Sequence, residues 1–109
     1  MNNTQKLEIH PAVDRDIDHQ FQWLRENNCG PATLHKFLDA IEEAKSKIST
    51  YPETWSKVSG SRKIRKVQIK QFRMTVFYTI RKNKMPLILE FAGAGLMPRW
   101  AERLRLESD

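Results

Sequence analysis

A chain of 109 residues that is 39% apolar and 29% charged has room for one domain, residues 1–109, with a modest core, and not for two. No apolar run approaches the roughly 20 residues of a membrane span, the opening MNNTQKLEIH lacks an apolar signal core, and the lone Cys29 cannot form an internal disulfide, so the expected setting is the reducing cytosol. A formal charge of +6 and a pI near 9.7 favour an anionic partner: nucleic acid, a ribosome or an acidic protein.

Residues 5–10 alternate Leu7 and Ile9 with polar neighbours, which predicts a short strand stopped by Pro11. From Val13 to Asn27, Val13, Ile17, Phe21 and Leu24 recur at helical spacing with Trp23 beside them, and Asp14, Asp16 and Asp18 complement the helix dipole. Asn27-Asn28-Cys29-Gly30 reads as a stop, with Gly30 able to take positive φ. Pro31 opens a second helix with a stripe of Leu34, Phe37, Leu38, Ile41, Ala44, Lys45 and Ile48. The two helices form an αα-hairpin joined by a short turn. After Tyr51-Pro52 comes a loop over 52–61 in which Trp55 is the expected anchor.

Three β-like runs follow. Val67 and Ile69 share a face in the first; Met74, Val76, Tyr78 and Ile80 do so in the second, against Thr75, Phe77 and Thr79. In the third, Leu87, Leu89 and Phe91 alternate with Ile88 and Glu90. Gly93-Ala94-Gly95 reads as a bend, and Pro98–Leu104 as a short terminal helix with Trp100 and Leu104 inward. The expected fold is α+β, in the order β-α-α-β-β-β: an antiparallel meander with one apolar face, the N-terminal strand beside it and the helical hairpin covering it.

Charge is unevenly distributed. Ten Lys and Arg lie between Lys57 and Lys84 without one Asp or Glu, while the first half holds most of the acids. Such a stretch reads either as a solvated face whose lysines protect a sheet edge or as a surface for anions. The three His are scattered, no Cys/His/carboxylate cluster has metal spacing, and no phosphate loop or Gly-x-Ser-x-Gly elbow occurs, so neither metal nor cofactor is called for. Metal-free RNA cleavage would need cations on the phosphate and a proton carrier. The candidates are Lys63, Arg65, Lys66, Arg73, Tyr78 and Arg81, although Tyr78 shares the apolar face of its strand.

Taken together, these pieces resemble the RelE/ParE superfamily of small toxins from type II toxin–antitoxin systems, over roughly residues 7–103. His10-Pro11-Ala12 leading into Asp14-Arg15-Asp16-Ile17 is similar to the family's opening strand, turn and acidic first helix. Phe37–Glu42, Tyr51-Pro52, Ile64-Arg65-Lys66-Val67, Phe72, Val76–Ile80, and then Pro98, Trp100 and Arg103 follow in the family's order. Arg73-Met74 stands where Pro-Tyr is usual, and Gly93, Gly95 and Leu96 stand where a His and one or two Arg often precede the closing Pro. That missing basic group argues against the mRNA-cleaving branch, and the long hairpin favours the ParE-like branch, which needs no catalytic residue of its own.

The resemblance therefore implies a toxin that binds a target such as DNA gyrase and is silenced in a hetero-oligomer with a cognate antitoxin whose C-terminal segment folds over the sheet. It implies target or anion contacts at Lys63, Arg65, Lys66, Arg73, Arg81, Arg99 and Arg103, and antitoxin contacts at Trp55, Met97 and Trp100, for which a satellite core under a loop is the competing role. Two further readings stand beside it. One is a ribosome-dependent, metal-independent mRNA endoribonuclease using Arg65, Arg73 and Arg81; the other is a retired toxin kept as a binding partner.

Overall fold

The computed structural model describes residues 6–93 and 97–105. Its elements are β1 (Glu8–Ile9), α1 (Val13–Glu26), α2 (Pro31–Thr50), β2 (Ile64–Ile69), a 3-10 turn (Lys70–Phe72), β3 (Met74–Ile80), β4 (Pro86–Gly93) and α3 (Trp100–Arg105). One sheet has the order β1-β4-β3-β2. Strands β2, β3 and β4 form the antiparallel meander, and β1 pairs parallel to β4 after the hairpin carries the chain across. The α+β fold class is the expected one. Of the expected bend, Ala94 and Gly95 lie outside the described residues.

Of the strand expected over 5–10, the described residues that pair are Glu8 and Ile9, and the chain then turns at Pro11 into α1. The hairpin turn differs in one respect. Asn28 takes the left-handed conformation at φ 62°, whereas Gly30, at φ −76°, is the extended residue that caps α2. Asn tolerates that region because its short amide bonds locally. On α2 the buried stripe is Phe37, Ala40, Ile41, Ala44 and Ile48. Leu38, expected inside, is 45% exposed. With the buried stripe centred on Ala40, Ile41 and Ala44, Leu38 falls on the outer side of the helix.

Between hairpin and sheet, Val13, Leu24, Phe37, Ile41 and Ile48 pack against Val67, Met74, Val76, Tyr78, Ile88 and Phe91. Phe37 has its ring edge-on to Phe72 at 5.3 Å. Each such side chain contributes about 1.5–3 kcal/mol on burial. The meander does not have a single apolar face. On the opposite side, Ile64, Phe77, Leu87, Leu89 and Ala92 form a second cluster covered by Val58, Trp100 and Leu104. The uninterrupted apolar run Leu87-Ile88-Leu89 follows from this, since a strand covered on both faces has no polar positions to alternate with.

A bulge resets β4. Tyr78 lies opposite Ile88 and Phe77 opposite Glu90, which leaves Leu89 without a cross-strand partner. Beyond it Phe91 joins Ile88 on the hairpin side, so the simple alternation of Leu87, Leu89 and Phe91 does not hold.

Candidate functional site

At the end of the sheet where β2 starts and β3 turns into β4, a cavity of about 320 Å³ is lined by Lys57, Arg62, Lys63, Arg65, Arg81 and Lys82, over Thr79, Ile80, Leu87 and Leu104. No carboxylate lines it. Antiparallel pairing of Ile64 with Thr79 brings the 57–63 loop beside the 81–84 turn, and the Thr79 hydroxyl donates to the Lys63 carbonyl at 2.9 Å. Both segments are held by their own main chain. In the loop, Gly60 turns at φ 83°, the Ser61 hydroxyl accepts from the Ile64 N–H at 3.2 Å, and the Val58 N–H donates to the Ile64 carbonyl at 2.8 Å. In the turn, the Arg81 N–H donates to the Met85 carbonyl at 2.9 Å and the Asn83 side chain accepts from the Met85 N–H at 2.9 Å.

The cations singled out from sequence have different surroundings. Lys63 is exposed at the pocket rim. Arg65 turns toward the hairpin side and donates to the carbonyls of Glu53 at 3.1 Å and Trp55 at 2.7 Å, tying down the loop. Arg81 reaches β1 and pairs with Glu8 at 2.6 Å. Arg73 lies at the opposite end of the meander, in the left-handed conformation (φ 52°, ψ 44°) that closes the 3-10 turn. Arg65 and Arg81 thus line the one cavity with Lys63, each tied to other groups, while Arg73 is not brought to it. Lys66 is half-buried opposite Phe77. Arg99 exposes its side chain, while its N–H donates to Glu90 at 2.7 Å. Tyr78 is fully buried, its hydroxyl donates to the Pro52 carbonyl, and burial pushes its pKa up to about 12. A phenol so placed does not exchange protons with a ligand near neutral pH.

Arg103, grouped by sequence with the surface cations, points inward and is 7% exposed. It forms a two-pronged pair with Asp16, at 2.7 and 2.9 Å, and also donates to the Leu89 carbonyl at 2.8 Å. Asp16 in turn accepts the Phe91 N–H at 3.0 Å. The pair thus satisfies main-chain groups of β4 where β1 has ended. The hydrogen bond to Asp16 raises the Arg103 pKa further above its ordinary value. Beside it, burial pushes the pKa of the Glu90 carboxyl up from its ordinary value. Neither Asp16 nor Glu90 stood out in the sequence as more than a helix-terminal or strand acid.

The three aromatic and thioether candidates also separate. Trp55 packs against the hairpin-side core and donates its indole N–H to the Lys47 carbonyl at 3.0 Å. Trp100 packs on Phe77, ring centroids 6.3 Å apart. Met97 is 85% exposed. A second hollow, about 490 Å³, runs between α2 and β2 over Ala40, Ala44, Val67 and Ile69, edged by Glu43, Lys47, Lys70 and Gln71. The outer edge of β2 meets Lys57 at Arg65 and the Ser56 carbonyl at Lys66; beyond, from Gln68, it has no strand partner among the described residues.

No group of His, Cys, Asp and Glu fit to hold a metal occurs among the described residues, and no described helix is long and apolar enough to cross a membrane. No family model matches the chain, and no curated protein matches it in sequence. Among solved structures, it is similar to a chain of the chromosomal ParDE TA system from P. aeruginosa, with a TM-score of 0.66 at 12% identity, covering 83% of this chain and 98% of that one. It also aligns with the isolated E. coli RelE toxin at a TM-score of 0.48 and 10% identity, covering 94% of this chain and 98% of that one. The first likeness is one of fold.

Proposed function

We propose that this chain is the toxin component of a type II toxin–antitoxin system, a ParE-like inhibitor of growth that binds a target such as DNA gyrase and is neutralised by a cognate antitoxin. The observation that carries this reading is the hairpin-over-meander architecture, shared with the ParDE chain over 98% of that chain's length. In this reading residues 1–109 act as one domain in the cytoplasm. The antitoxin docks as a hetero-oligomeric partner where the α2–β2 hollow meets the unpaired edge of β2, a setting suited to an added strand with apolar anchors. Met97 is the exposed apolar anchor among the three candidates.

The endoribonuclease reading has less support. Arg65 and Arg81 line one cavity, but Arg65 is spent on main-chain carbonyls and Arg81 on Glu8, and Arg73 lies at the far end. Preorganised charge around one phosphate requires them at one point.

Tightly controlled induction in a bacterial host, with pulse labelling of protein, DNA and RNA synthesis, tests the assignment. Failing DNA synthesis and filamentation with continued translation are expected. Prompt collapse of translation would transfer the chain to the message-cleaving reading, and unimpeded growth with soluble folded protein would make it a retired toxin.

A further inference from the structure

We infer that the basic pocket is a sequence-independent site for the phosphodiester backbone of a nucleic acid, contacted by Lys57, Arg62, Lys63 and Lys82. Four cations are committed to carboxylates: Lys45 pairs with Glu42 at 3.2 Å, Lys47 with Glu43 at 3.4 Å, Arg103 with Asp16 at 2.7 Å and, at the pocket wall, Arg81 with Glu8 at 2.6 Å. The four pocket residues are exposed and have no side-chain hydrogen bond or ion pair among the described residues. Their repulsion is left uncompensated on a frame that the Gly60 loop and the Asn83 turn hold in place. Such an arrangement costs stability unless an anion relieves it.

The donor set favours phosphate over an acidic peptide. An extended peptide or a terminal carboxylate is commonly held by a strand edge or by free main-chain N–H groups. Here the turn N–H groups of Val58, Ile64, Arg81, Lys84 and Met85 are all internally bonded. The side chains supply three ammonium groups, point charges on long stems that tolerate the varied orientations of successive phosphates, and one guanidinium whose fork matches a phosphate's oxygens. The pocket has no amide or carboxylate side chain to pair with a base edge, and its floor is largely apolar. Binding is therefore insensitive to sequence and steeply sensitive to salt.

The inference stands apart from the toxin reading, because it is measured on the purified chain and does not require growth inhibition. Fluorescence anisotropy with a labelled 20-base-pair DNA duplex and a labelled single-stranded RNA, each between about 50 and 300 mM NaCl, gives affinity and salt slope. The variant Arg62→Gln/Lys63→Gln/Lys82→Gln is compared with Arg15→Gln/Arg25→Gln/Lys36→Gln, which removes the same charge from exposed positions on the hairpin. The pocket variant should lose about tenfold or more in affinity and about 2–3 from the salt slope, while the hairpin variant loses far less. Tighter binding of the duplex assigns DNA, and tighter binding of the single strand assigns RNA. Equal losses in both variants, or no wild-type binding at the lowest salt, would overturn the site. Stronger competition by poly-glutamate than by either nucleic acid would give it to an acidic protein instead. If the triple variant lowers the melting temperature, Lys82→Gln alone carries the test, with a slope change of about 1.

Discussion

Asp16 and Arg103 do for β4 what two more residues of β1 would otherwise do. Strand β1 ends at Ile9, and the next edge groups of β4, the Leu89 carbonyl and the Phe91 N–H, are taken up by Arg103 and Asp16. Removing one member of a buried pair strands the other charge, so Arg103→Met should cost about 3–5 kcal/mol in urea unfolding. Replacing both members of a buried pair with apolar side chains often restores stability. Here Asp16→Leu/Arg103→Met should not, because two main-chain groups remain unbonded at about 1–3 kcal/mol each. Recovery to wild-type stability in the double variant would show that water reaches this edge and that the pair is ordinary. Tyr78 is the other residue whose environment sets its behaviour. Its pKa stands at about 12 against an ordinary 10.0, so between those values the unfolded chain sheds a proton that the folded chain keeps. The unfolded state then binds fewer protons, and stability falls as pH rises through that window, being complete below it. Tyr78→Phe should cost about 1 kcal/mol at neutral pH through the lost bond to Pro52, and should remove this residue's share of the alkaline loss. An unchanged alkaline limb in unfolding curves from pH 9 to 12 would refute that share.

Elements were legible where one periodicity governed them. The hairpin helices and β3 carry clean 3.6- and 2-residue patterns, and their spans follow from the positions of Val13, Phe37, Met74 and Val76. Strand β4 was legible as a strand but not in its facing, because Leu89 is the bulged residue and a bulge leaves no mark in an apolar run. The turns were less legible still. Asn28 and Arg73, not glycines, hold the left-handed positions, at φ 62° and 52°. Arg73 illustrates how a charge read as a contact can instead carry backbone strain. Left-handed backbone costs a non-glycine residue about 1–2 kcal/mol, so Arg73→Gly should raise stability by up to about 1 kcal/mol after glycine's own entropy is deducted. Thermal unfolding checks this. If Arg73 is also spent on the target, the same variant grows better on induction while melting higher; unimpaired toxicity would confine its role to the turn.

At the scale of the whole molecule, the basic end was visible as ten cations without an acid between Lys57 and Lys84, but its location was not. Pairing of β2 with β3 is what gathers Lys57, Arg62, Lys63 and Lys82 at one end and leaves Arg73 at the other, and charge counting holds no register. The same limit applies to the apolar candidates, since Trp55, Met97 and Trp100 look alike in sequence and differ only in what the folded sheet leaves open. With both faces of the sheet covered, Trp100 is part of the layer that shields Phe77 and Leu89, and Trp55 closes the loop over the hairpin side. Trp100→Ala should therefore lower stability by about 2–3 kcal/mol, less than the 3–5 typical of a fully buried Trp because this one is half-exposed. Met97→Glu should leave the melting temperature within about a degree, since the side chain is 85% exposed. If Met97 anchors the antitoxin, that charge should weaken the complex by tenfold or more in isothermal titration with the purified antitoxin. Trp55→Ala should alter the affinity only as far as it unfolds the loop, which Arg65 also holds through the Trp55 carbonyl. The reverse result, full affinity for Met97→Glu and lost affinity for a still-folded Trp100→Ala, would make Trp100 and not Met97 the antitoxin's anchor.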